Sequence, residues 1–176
     1  MCSSDLREDR VRRVAAAAIG VAATPAVQGA LVARLKDEDP EVRTALLEAL
    51  ARIASEDVAA GPEVSARLGS SDAAERAAAA AVAAGRGGAS AEATAKRLML
   101  DSSERVRAAT VAAVFSREEQ WADLVLSRAA DDRHASVRLV AAVGLAVRAG
   151  RAGRFDVTLA GDRKSTRLNS SHATLS

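Results

Sequence analysis

Apolar residues recur along this chain at three- and four-residue steps, most plainly between Pro40 and Ile53. There Val42, Leu46, Leu47, Leu50 and Ile53 share one side of an α-helix. No run alternates at period two for long enough to make a strand, so every predicted element is helical. Start signals agree: Thr24-Pro25, Asp39-Pro40 and Gly61-Pro62 each set a capping-type residue before a proline in a first turn. Asp72 to Glu75, Asp101 to Glu104 and Ser116 to Glu119 have the spacing of capping boxes. Glycines at Gly85, Gly87 and Gly88, and again at Gly150 and Gly153, mark turns.

The same pattern returns five times. Aligned on Arg12, Arg43, Arg76, Arg107 and Arg138, the segments are spaced by 31, 33, 31 and 31 residues. An acidic or small polar turn precedes each of the last four arginines. Seven residues after the arginine stand Ile19, Leu50, Ala83, Val114 and Leu145. Twelve before it, in the preceding helix, stand Leu31, Val64, Ala95 and Leu126, and eight before it Leu35, Leu68, Met99 and Ala130. Each unit reads as two helices, the first running from the turn through the arginine into an alanine-rich stretch. Repeats are expected at about 7–36, 37–69, 70–100, 101–130 and 131–161, the last cut short near Leu159 after a helix from Ser136 to Arg148. Alanine buries little apolar area, so the Ala77–Ala81 helix, and with it residues 70–100, is expected to be the softest unit.

Residues 37 to 50, DEDPEVRTALLEAL, carry the motif D-x-D-P-x-V-R-x-x-A/L-x-x-A-L, which 101–114 and 132–145 follow well. Residues 70–83 depart from it, with Glu75 in place of the valine. The motif resembles the short HEAT-like repeats common in bacteria, the variety also found in phycobilin lyases. That resemblance implies an all-α fold, an α-solenoid of about five helical hairpins in a right-handed superhelical stack. First helices would line one face and second helices the other, each repeat touching only its neighbours.

Composition adds limits rather than chemistry. The 176 residues are 49% apolar, 27% charged and 2% aromatic, with a net charge of +2. The two ends resemble the translation of a sequencing-library adapter. With GTG read as a start, GTGTGCTCTTCCGATC encodes Met1 into Leu6, and its reverse complement encodes Asp162, Arg163, Lys164, Ser165 and Thr166. Residues 1–6 and a disordered tail at 162–176 are therefore expected to be adapter-derived, with 7–161 the repeat domain of a longer parent. Without Asp5, Asp162, Arg163, Lys164 and Arg167, the 25 basic and 23 acidic residues become 22 and 21. Such a balance gives little pull toward nucleic acid or an anionic membrane. The uncharged stretch Val14–Ala33 is mostly alanine and glycine with Pro25 and Gln28 inside it, a weak membrane segment. Arginine greatly outnumbers lysine, as in a GC-rich bacterial genome, and a cytoplasmic location is expected.

Candidate sites are few. With Cys2 and His172 set aside, only His134 remains, a turn residue here, and no zinc set can form. No Ser-His-Asp set or phosphate-binding glycine loop is present, and Gly85-Arg86-Gly87-Gly88 reads as a linker. Asp37-Glu38-Asp39 lacks the spaced oxygens and late glutamate of a calcium loop. No catalytic residue, cofactor or metal is expected. The arginines Arg12, Arg43, Arg76, Arg107 and Arg138 are expected to pair with an aspartate of the neighbouring repeat, drawn from Asp39, Asp72, Asp101 and Asp132, and so to orient the turns. Trp121 is a possible interaction anchor, though a lone tryptophan commonly fills a core. Arg133, Arg138, Arg148, Arg151 and Arg154 give a local basic excess, and some HEAT-like DNA glycosylases resemble this layout. However, Phe115, Trp121 and Phe155 are too few to stack bases. The expected function is a non-catalytic scaffold that binds a protein partner or other domains of its parent, without membrane or nucleic acid. The alternative is an accessory or substrate-holding region of a larger enzyme, lyase-like or glycosylase-like, whose catalytic residues lie elsewhere.

Overall fold

A computed structural model describes residues 24–151 and, upstream, residues 10, 11, 14, 15 and 18. Among the described residues there are helices and turns and no strand. A 3-10 turn, Pro25–Val27, leads into α1 (Gln28–Arg34), α2 (Pro40–Ile53), the short α3 (Glu56–Ala59) and α4 (Pro62–Arg67). Then come α5 (Ala73–Arg86), α6 (Ala91–Leu98), α7 (Glu104–Ala113), α8 (Gln120–Ala129) and α9 (Ala135–Arg151). Helices α2, α5, α7 and α9 stack in order as one layer, with α1, α4, α6 and α8 behind them. The described residues form an all-α solenoid of helical hairpins.

Local chemistry sets the helix starts. The carboxylates of Asp39 and Asp72 accept the backbone N–H of Glu41 at 2.8 Å and of Ala74 at 2.7 Å, groups a first turn leaves without helical partners. Pro40 and Pro62 occupy first-turn positions where a missing N–H costs nothing. Two expected capping boxes are placed differently. Ser103, not Asp101, is the cap residue of α7, and Ser116 closes the 3-10 turn Val114–Ser116 while α8 begins after Glu119. Helix α9 begins at Ala135 and continues to Arg151, three residues past Arg148. The second helix of residues 37–69 is split at Gly61-Pro62 into α3 and α4. That break accommodates the spacing of 33 where the other units keep 31.

The register read from the sequence is the register of the core. Leu31, Val64, Ala95 and Leu126 are all buried, as are Leu50, Ala83 and Val114, while Leu145 is half-buried against the same core. Helix α5 lies between α2 and α7. Its residues Ala77 to Ala80 and Val82 to Ala84 are buried, so the helix with the smallest side chains is enclosed on both sides. On α9, Gly144 lets the Phe115 ring and Leu126 close over the helix, and a methyl group there would run into both.

Candidate functional site

One arginine per repeat ties two turns together by a fixed geometry. In the turn before its own helix, the Nη1 of Arg43 donates to the carbonyls of Asp37 and Glu38 at 2.7 and 2.8 Å. Arg76 makes the same pair to Ser70 and Ser71, Arg107 to Asp101 and Ser102, and Arg138 to Asp132 and Arg133. The acceptors always stand six and five residues before the arginine. The opposite edge of the guanidinium reaches into the next repeat. Arg107 grips Asp132 through Nε and Nη2 at 2.7 and 2.9 Å, and Arg76 grips Asp101 at 3.1 and 3.2 Å. Two parallel N–H donors on one carboxylate fix orientation as well as distance. The same carboxylates accept backbone N–H groups within their turns, of His134 and of Ser103, both at 2.8 Å.

Arg43 breaks the expected pairing. Its carboxylate partner is Glu75, not Asp72, which caps α5 instead. The reason is legible in the register: Asp101 and Asp132 stand six residues before their arginines, and that place in the third repeat is Ser70. Glu75, one residue before Arg76, supplies the missing carboxylate from the helix, meeting Arg43 at 2.7 and 2.9 Å while Ser70 Oγ donates to it at 2.7 Å. Arg67 Nη1 stands 3.6 Å from the same group, and the Glu75 side chain is fully buried. Asp39, like Asp72, stands four residues before its arginine and caps its helix. Arg12 lies outside the described residues, as do Arg154 and Phe155.

Electrostatics follow the geometry. Burial pushes the Glu75 carboxyl up, but hydrogen bonds from Arg43 and Ser70, with the charges of Arg43 and Arg67, outweigh it and hold the group below its ordinary value. Asp101 shows the same contest and the same outcome, with Arg76 and the Ser103 N–H as its donors. At Asp132 the Arg107 hydrogen bond dominates and brings the carboxyl down to about 2.

A HEAT repeats family model matches residues 5–61. That stretch, about a third of the chain, is similar to HEAT repeats. The chain matches no curated protein. Arg43, Arg76 and Arg107 have both edges of the guanidinium bonded within the stack, and Arg138 bonds its own turn.

A second arginine ladder, absent from the sequence reading, closes the other end of the first helices. Arg86 donates to the carbonyls of Ala51 and Arg52, Arg117 to that of Gly85 at 3.3 Å, and Arg148 to that of Arg117. These residues are spaced by 31 and 31, a period visible in the sequence but outside the motif that was aligned. Arg86 ends α5, so the stretch read as a linker is a helix terminus; the turn completes at Gly88, whose φ of 52° suits glycine. The basic excess dissolves in part: Arg133 donates to the Ser102 carbonyl, and Arg148 also meets Asp123 at 2.5 Å. Trp121 is half-buried against the core, with the Arg117 guanidinium 5.5 Å from its ring centre.

Between the ends of α2, α5 and α7 lies an open groove of about 1190 Å³. Ala51, Ala81, Gly85 and Ala112 floor it, and Arg86, Arg117, Glu56, Glu118 and Glu119 border it. Among the described residues no cluster of His, Cys, Asp and Glu could hold a metal ion, and no helix is long and apolar enough to cross a membrane.

Proposed function

We propose that this chain is a non-catalytic scaffold whose first-helix groove receives a protein, either a separate partner or another domain of a longer parent. HEAT repeats are commonly protein-interaction scaffolds. The observation that carries the reading is the groove itself: alanine and glycine leave room for a partner's side chains, and charges of both signs border it. A photo-reactive amino acid at the exposed Ala112 tests this against one at Ser65, exposed on the second-helix face. A protein cross-linked from Ala112 and lost on Ala81→Trp is expected. Cross-linking from Ser65 alone, or capture insensitive to Ala81→Trp, would overturn the reading.

A further inference from the structure

The second-helix face carries a notch of about 410 Å³ between α6 and α8, lined by Lys96, Met99, Leu100, Leu124, Val125 and Arg128. Leu100 and Leu124 are 74% and 63% exposed. Both break the repeat register. The places equivalent to Leu100, seven residues before the ladder arginine, hold Lys36, Gly69 and Asp131. Those equivalent to Leu124, fourteen before it, hold Gly29, Pro62 and Ala93. A solenoid keeps such outward positions small or polar for solubility, yet two exceptions from successive repeats meet in one hollow. Lys96 is a third exception, its equivalents being Val32, Ser65 and Ser127.

Both charged lining residues are cations, and Arg128 has no carboxylate partner among the described residues. Lys96 holds Glu92 at 2.6 Å, but that pair is exposed on both sides, so the ammonium can accept a second carboxylate at little cost.

We propose that this notch docks an acidic peptide segment, a large aliphatic side chain seated between Leu100 and Leu124 with flanking carboxylates on Lys96 and Arg128. The volume lies near the lower end of the roughly 300–1,000 Å³ typical of ligand pockets, room for one or two such side chains. This surface is distinct from the first-helix groove, so either can fail without the other.

The full chain is titrated into a fluorescein-labelled Asp-Glu-Leu-Leu-Asp-Glu peptide and followed by anisotropy, beside Lys-Lys-Leu-Leu-Lys-Lys and Asp-Glu-Ala-Ala-Asp-Glu peptides. Saturable binding of the first peptide alone is expected. Leu124→Asp, and separately the double variant Lys96→Glu/Arg128→Glu, should weaken it by about tenfold or more. All three positions are exposed, and circular dichroism checks that the variants keep their helices. No binding of the acidic leucine peptide up to about 1 mM would overturn the proposal. So would equal binding of the basic peptide, or affinities unchanged in the variants. Sedimentation showing a dimer that Leu124→Asp converts to monomer would assign the notch to a second copy instead and overturn it as well.

Discussion

The rung joining Arg107 to Asp132 and the rung joining Arg43 to Glu75 perform one task with different parts. In the first, the carboxylate grows from the turn, six residues before the next ladder arginine, and its side chain keeps about 10% of its surface in water. In the second, the turn offers only the hydroxyl of Ser70, and the carboxylate comes from inside α5 with none of its surface exposed. The geometry conserved down the stack is a carboxylate facing two guanidinium N–H groups, not an aspartate at a given position. The helical solution buries the carboxylate more deeply and sets a second cation, Arg67, near it beside the donors Arg43 and Ser70. A deeper charge makes the rung harder to cut on one side only.

The largest effect should come from that asymmetry. Glu75→Ala removes the carboxylate that Arg43 and Arg67 share, and the loss should reach about 3–5 kcal/mol in urea unfolding. Asp132→Ala takes the carboxylate from one guanidinium, Arg107, rather than from two, and should cost less. Equal losses at the two rungs would show that the second cation, Arg67, adds nothing to the cost.

These two rungs also mark how far the sequence could be read. The helices, their order and the buried register followed from apolar spacing, because periodicity is what decides which face turns inward. The partner of Arg43 did not follow, because pairing was sought between aligned positions. Satisfying a guanidinium depends on where a carboxylate arrives in space, and Glu75 arrives from a different element than Asp101 does. The second ladder was missed for another reason. Arg86, Arg117 and Arg148 donate to backbone carbonyls, which every residue carries and no motif records.

Acid should separate the rungs next. Asp132 titrates near 2 when folded, against an ordinary 3.8. A depressed folded value means its stabilisation is complete above the unfolded value and is lost as pH falls from about 4 through about 2. The amount is about 2 kcal/mol for this one group, at about 1.4 kcal/mol for each pH unit between the two values. Glu75 and Asp101 are also held low, so they lose stability in the same direction. Thermal melts between pH 5 and 2 should show a falling midpoint whose slope lessens in Asp132→Asn. An unchanged slope in that variant would remove Asp132 from the acid response.

The sharpest comparison exchanges one rung for the other and should produce the smallest net change. Ser70→Asp with Glu75→Val rebuilds the third repeat in the form of the fourth and fifth, which carry an aspartate six before the arginine and a valine one before it. Alone, Ser70→Asp crowds two carboxylates where Ser70 Oγ now donates to Glu75. Alone, Glu75→Val strands Arg43. Each single change should therefore destabilise the chain, while the double variant returns to within about 1 kcal/mol of the parent, a favourable coupling near the top of the usual 0.5–3 kcal/mol range for contacting residues. Val106 and Val137, fully buried at the equivalent places, indicate that the site between first helices takes a valine without strain. If the losses simply add, the two carboxylates are not alternative ways of filling one place, and Glu75 has a role in α5 that no turn aspartate can assume.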